Sequence, residues 1–238
     1  MEIIIVNKIS VEVEWKNIKN IHLTVYPPNA RVHVSAPLSM PKDSIRLYII
    51  TKLEWINKNI EMILNQSRQT EREYVSGENH YYRGIRYRLN VVYQKSSPKV
   101  MLNGTQFINL YIREGVTTEK RAEVMREWYR IELKKLIPDI IKKWEKSLNV
   151  KVNDWQVMQM RTNWGTCNIE KKRIMINLEL AKKPPHCLEY VILHEIVHLL
   201  ERHHNERFIK YMDAFLPNWK QIRTELNQLP VSHADWEY

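Results

Sequence analysis

Residues 190–200 read Tyr-Val-Ile-Leu-His-Glu-Ile-Val-His-Leu-Leu, an almost wholly apolar run that carries His194, Glu195 and His198. No other stretch restricts the fold as much. A run of this kind makes a helix buried on most of its circumference, and glutamate is almost never fully buried without a partner. Positions four apart lie one turn above each other. Both imidazoles can therefore reach one metal ion while Glu195, between them, points toward water held at that ion. Lys182-Lys-Pro-Pro185 is a start signal, with Pro185 near the first helical position.

H-E-x-x-H arises by chance in about one chain in a hundred of this size, so spacing alone does not exclude a coincidental core helix. The apolar setting favours metal. A catalytic zinc keeps three protein ligands and one open position. His204, six residues beyond His198, is the expected third ligand, with His203, Glu206 and Glu225 as alternatives. Metzincins carry glycine three residues after the second histidine, where the chain turns sharply; here that residue is Glu201. The turn is therefore expected at 203–205, because asparagine tolerates unusual backbone angles. Met212 falls within an expected helix, 206–215, and offers no Met-turn. Zinc would bring the pKa of its water toward about 7, and Glu195 would take the proton and pass it to the leaving amine. Hydrolysis would need no covalent intermediate. His203, Tyr211 and Arg161 are candidates for stabilising the developing oxyanion.

A chain of 238 residues with 44% hydrophobic content can bury one large core or two small ones. The opening Met1-Glu-Ile-Ile-Ile-Val6 lacks a basic leader, no apolar stretch approaches a bilayer span, and Cys167 and Cys187 show no C-x-x-C spacing. A reduced, cytoplasmic protein with no membrane contact is the expectation. Thirty-seven Lys and Arg against 27 Asp and Glu give a net charge of +10, which leaves nucleic acid or another anionic partner open. The charge is diffuse, however. Lys134, Lys135, Lys142, Lys143 and Lys146 are interleaved with acidic residues, and Glu127 with Arg130 reads as an ordinary solvated helix pair.

Short strands are expected at 3–6, 10–15, 20–26 and 31–36, with Pro27-Pro-Asn29 as a turn. One helix is expected over 41–64, from apolar residues such as Ile45, Ile49, Leu53, Ile56 and Ile60 at helical spacing, with Trp55 in the core. The polar stretch 65–73 is the linker candidate. Residues 74–112 read as strands with turns at Arg83-Gly-Ile-Arg86 and Asn103-Gly104, and Tyr74, Tyr81, Tyr82, Tyr87 and Tyr93 as sheet-packing residues. A threonine-capped helix follows over 118–148, kinked or divided at Pro138. Strands at 154–160 and 173–180 precede the metal-site helix. A strand edge there could hold an extended peptide through its main chain.

Arg161-Thr-Asn-Trp-Gly-Thr-Cys-Asn168, Ile174-Met-Ile-Asn-Leu178 and the segment from His194 through His204-Asn-Glu-Arg-Phe208 occur in an order that resembles the YgjP-like zinc metallopeptidase family, a relative of the SprT and Spartan-type peptidases. Thr166 stands where that family usually has serine. Arg31-Val-His-Val-Ser-Ala-Pro37 and Glu54-Trp-Ile56 extend the likeness more weakly to the N-terminal half. The most diagnostic part is about 155–208.

The resemblance implies a zinc peptidase with His194, His198 and His204 as ligands and Glu195 as base. A peptide or protein is then the substrate; the alternatives are a DNA-associated peptidase that cleaves proteins on DNA, a non-peptide zinc amidohydrolase, and a non-catalytic basic binding module. It also places Trp164, Gly165, Thr166 and Cys167 near the cleft, with Asn177 as a further cleft candidate. Read without it, Trp164 is a packing residue and Cys167 a buried, inert thiol. The expected fold is α+β: a strand-rich segment with a helix over 1–70, then a minimal zincin-like core over 71–238, a small sheet packed on the H-E-x-x-H helix. A single continuous domain is the alternative.

Overall fold

The computed structural model describes residues 2–26, 29–65, 72–160 and 163–229. Most of the expected linker at 65–73 lies outside the described residues, as do Pro27, Pro28 and Arg161. The fold is mixed α+β with a strand-rich N-terminal part and several helices. The chain divides into two units, one within residues 1–68 and the other within 69–232.

Four strands build the first unit: β1 (Glu2–Val6), β2 (Ile9–Lys16), β3 (His22–Tyr26) and β4 (Arg31–Pro37), in the order β1-β2-β4-β3 with β2 and β4 parallel. Alternation puts Val11, Val13, Val32 and Val34 on one face, where they meet Ile45, Ile49 and Ile56 in a core. Asn7 and Lys8 take positive φ in the two-residue link between β1 and β2, as a tight hairpin with right-handed strand twist prefers.

The helix expected over 41–64 is two, α1 (Lys42–Thr51) and α2 (Leu53–Asn65). The Thr51 hydroxyl donates to the Tyr48 carbonyl at 2.8 Å, and the Lys52 N–H turns to Ile49 at 3.0 Å. Both bonds reach back three residues, so they tighten the backbone and interrupt the helical ladder.

In the second unit, β5 (Asn79–Tyr82), β6 (Ile85–Tyr93), β7 (Lys99–Asn103) and β8 (Phe107–Ile112) form a sheet in the order β5-β6-β8-β7. Both expected turns are present, at Arg83-Gly84 and around Gly104. The first has a further use. Arg83 and Gly84 donate backbone bonds to the carbonyls of Ala181 and Lys182, and a Cβ on Gly84 would lie 2.8 Å from Pro184 Cγ. The hairpin tip is thus docked on the segment that opens the helix carrying His194, Glu195 and His198.

Helix α3 (Thr118–Leu148) is capped by Thr117 and buries Met125, Trp128, Tyr129, Leu133, Ile137, Ile141, Trp144 and Leu148 along one stripe. Pro138 does not divide it. The carbonyl it deprives of a donor belongs to Lys134, and both residues are on the exposed face, where water can satisfy that oxygen. Lysines on this helix are partly committed to ion pairs, Lys135 with Glu132 and Lys143 with Glu189.

A three-stranded sheet follows, β9 (Asp154–Met158), β10 (Gly165–Asn168) and β11 (Arg173–Asn177), ordered β10-β11-β9. The expected strands are shortened to 154–158 and 173–177, and 178–182 is a 3₁₀ turn. Three helices complete the unit: α4 (Pro185–Val197), α5 (Glu206–Phe215) and α6 (Trp219–Gln228). No helix among the described residues is long and apolar enough to cross a membrane.

Candidate metal centre

Pro185 opens α4 at its first turn, after Pro184 in extended conformation. Val191, Ile192, Leu193, Ile196 and Val197 anchor the helix in the core. His194 lies in its last turn and His198 is its C-cap. The chain then leaves the helix through short backbone bonds, Leu199 N–H to Ile196 and Leu200 N–H to Val197, and re-enters α5 at Asn205. The Asn205 side chain accepts from the N–H groups of Arg207 and Phe208 at 3.0 and 3.1 Å. The chain does bend at 202–205, as expected, but without the unusual backbone angles: Asn205 has φ −89°, and no residue from 198 to 206 takes positive φ.

This path brings His204 onto the other two imidazoles. Ring centroids are 4.9 Å apart for His194 and His198, 4.9 Å for His194 and His204, and 4.8 Å for His198 and His204. Phe208, 1% exposed, lies 4.7–4.9 Å from all three rings and forms their common floor. His203, Glu206 and Glu225 are not in the group, and Glu225 pairs instead with His186 at 2.7 Å.

The donor atoms fit a metal ion. The Nε2 atoms of His194 and His204 face each other at 3.0 Å, and one ligand atom from each of the three histidines lies within 4.8 Å of the others. His198 Nδ1 lies 3.1 Å from the Glu201 carbonyl, an acceptor, which assigns the ring proton to Nδ1 and leaves the Nε2 lone pair free. Burial lowers the proton affinity of all three rings, His194 to about 3, where the neighbouring His198 and His204 and then Arg223 add to the effect. Neutral rings with converging lone pairs are the protonation state a cation requires.

Glu195, 6% exposed, faces the same cleft, and burial pushes its carboxyl up to about 8. Beside it runs β10. A Cβ on Gly165 would lie 2.8 Å from Glu195 Cγ and Oε1, so the carboxyl occupies the space a side chain at 165 would fill. The cleft, of about 1040 Å³, is lined by Trp164, Gly165, Thr166 and Cys167 together with His194, Glu195, His198 and His204. Burial and then the charge of Glu195 push the Cys167 thiol up to about 11.

Asn177 does not line the cleft. Its side chain donates to the carbonyls of Met160 and Asn163 at 3.0 and 2.8 Å and accepts from Glu179 N–H at 3.2 Å, so it braces the loop ahead of β10. His203 and Tyr211 do not line it either, and the Arg207 guanidinium packs over the Tyr211 ring.

Two arginines that the sequence reading passed over do line it: Arg202, and Arg223 of α6. The signal for the second was present, because Trp219, Ile222 and Leu226 recur at helical spacing and place Arg223 beside that buried stripe. Tyr190, which stacks on Trp219 at 6.4 Å and meets the His194 ring at 5.8 Å, joins α6 to this wall.

No curated protein matches the chain. Among solved structures it is similar to the metallopeptidase zymogen of Methanocaldococcus jannaschii jannalysin, with 21% identity over 39% of this chain and 94% of that one and a TM-score of 0.35. It is also similar to the metallopeptidase zymogen of Pyrococcus abyssi abylysin, with 16% identity over 40% and 98% and a TM-score of 0.35. The model of the YgjP-like metallopeptidase domain matches residues 19–229, a span that includes every residue of the histidine cluster and its cleft. The chain therefore belongs to the YgjP-like metallopeptidase domain family, the family that its motifs resemble.

Proposed function

We propose that the chain is a zinc-dependent peptidase with a zincin-like core, in which His194, His198 and His204 hold the metal and Glu195 is the general base. The observation that carries this reading is the convergence of three neutral imidazoles and one buried carboxyl on a single cleft. When bound, zinc supplies Lewis acidity, which acidifies water and polarises a carbonyl. Glu195, whose carboxyl burial alone holds protonated, would ionise beside a bound cation and could then accept a proton from water and return it to the leaving nitrogen. Among the described residues β10 is the edge of its sheet, with β11 on one side only, and it lines the cleft. An extended substrate can pair with that edge through its main chain, while Trp164 and Cys167 meet its side chains. Arg223, with no hydrogen bond or ion pair among the described residues, is the best-placed group to stabilise negative charge developing on the scissile oxygen.

The test is metal content and peptide hydrolysis measured on the same samples. Glu195→Gln should keep its metal and lose activity by about 10²–10⁴-fold. His204→Ala should lose metal, and His203→Ala should keep it. An active Gln variant removes Glu195 from its role, and full metal in His204→Ala moves the third ligand elsewhere. A zinc amidohydrolase of small molecules would share these residues, and a screen of peptides against small amides separates the two.

A further inference from the structure

A second set of donors lies outside the cleft. His186 and Cys187 occupy the first turn of α4, and Glu225 comes from the second half of α6. His186 Nε2 is 2.7 Å from Glu225 Oε2, and one donor atom from each of the three residues lies within 4.8 Å of the others. None of them lines the cleft around His194.

We propose that His186, Cys187 and Glu225 form a second divalent-cation site, for zinc or another thiophilic ion, that clamps α6 onto the start of α4. Sulfur, imidazole nitrogen and carboxylate oxygen together are a zinc-type donor set, and three protein ligands leave one position for water. Thiolate and carboxylate charges match a doubly charged cation, so the filled site is neutral.

Cys187 is fully buried, whereas the side chains of His186 and Glu225 are 46% and 44% exposed. The ion therefore reaches the sulfur by parting the outer pair. In that step the S–H bond breaks, a sulfur–metal bond forms, and the proton leaves to water. His186 binds through a neutral ring, and nothing is oxidised or reduced. The clamp bears on the cleft because α6 also carries Arg223 and packs Trp219 against Tyr190. It does not depend on the peptidase reading, since no residue of the histidine cluster takes part.

Cobalt(II) titration of metal-stripped protein tests the proposal. Cys167 and Cys187 are the only cysteines, so in a Cys167→Ser background any sulfur-to-cobalt charge-transfer band reports Cys187. The expected result is two cobalt ions per chain, one of them giving that band. His186→Ala and Glu225→Gln, both at the surface and safe for folding, should weaken the band-forming ion at least ten-fold while the other ion is retained. In a His194→Ala, His198→Ala background the band should persist, and added zinc should raise the melting temperature. Absence of the band when the histidine cluster is filled would overturn the proposal. So would a band that neither His186→Ala nor Glu225→Gln weakens, because that is a lone thiol binding metal.

Discussion

Gly165→Ala tests whether Glu195 is held in place by the strand beside it. Gly165 does not take positive φ, so the position needs glycine for its missing side chain and not for backbone freedom. The added Cβ would lie 2.8 Å from Glu195 Cγ and Oε1 and 2.9 Å from Val191 Cγ1, where ordinary contacts begin at 3.4 Å. Glu195 must then retreat by about 0.6 Å, and Val191 and Glu195, 3% and 6% exposed on α4, have little room to do so.

Overpacking of this kind costs about 1–3 kcal/mol. At about 2–4 °C per kcal/mol for a domain of this size, the melting temperature should fall by roughly 2–12 °C. A misplacement of 1 Å costs about 10²-fold in rate, so a shift of this size should lower kcat on the order of ten-fold. The assay is kcat on a peptide substrate with metal content and thermal unfolding on the same preparation. Metal content should not change, because no histidine of the cluster is among the three nearest neighbours of the new Cβ. Wild-type kcat and melting temperature would refute the argument. Loss of metal in step with activity would show that the damage runs through the histidine cluster instead.

Phe208→Ala should cost about 3–5 kcal/mol by chemical denaturation, because the ring is fully buried. It should also weaken metal binding about 10–100-fold in a chelator competition, because the same ring supports all three imidazoles, and unchanged affinity would remove it as their floor. Pro138→Ala should stabilise the protein by up to about 3 kcal/mol in thermal unfolding, since proline in an exposed helix interior restores a backbone bond when replaced; a lower melting temperature would mean that the proline is needed. His80, 4% exposed, is held down to about 4 by burial, so the unfolded chain binds its proton first as the pH falls. Stability should therefore drop by up to about 1.4 kcal/mol per pH unit between 6.5 and 4, and His80→Gln should flatten that slope in denaturation midpoints against pH.

Where local chemistry decides the structure, the sequence is readable. Helix α5 has the expected bounds because Asn205 is a strong cap and Phe208 and Met212 mark the buried face. Helix α4 is readable because its apolar run is unbroken, and the hairpin at Arg83-Gly84 because positive φ selects glycine. Strand β10 is another matter. Gly-Thr-Cys-Asn has no alternation over its four residues, and it is a strand because β11 supplies partners from Gly165↔Ile176 to Asn168↔Arg173. Apolar spacing runs through 41–64 and does not reveal the break at Lys52, which local bonds back to Tyr48 and Ile49 make. Pro138 does not divide α3 because the carbonyl it leaves without an N–H is on the exposed face, and residue type alone states neither outcome.

The third histidine gives the sharpest case of a rule met by other means. Glycine is expected at the turn after H-E-x-x-H when the helix is stopped by a left-handed residue, and Glu201 cannot do that cheaply. Here the helix is instead wound tighter before it ends. The N–H groups of Leu199 and Leu200 reach back three residues at 3.0 and 2.9 Å, and Glu201 N–H bonds Val197 at 3.0 Å, all without positive φ. That path turns the Glu201 carbonyl toward His198 Nδ1. The residue that replaces the glycine thus contributes through its backbone what a flexible turn would not supply, a fixed acceptor that sets which nitrogen His198 presents to the cluster. Asn205 then caps α5 and seats Phe208 beneath the rings, so one segment of ordinary backbone angles ends a helix, orients the second histidine of the cluster and delivers the third.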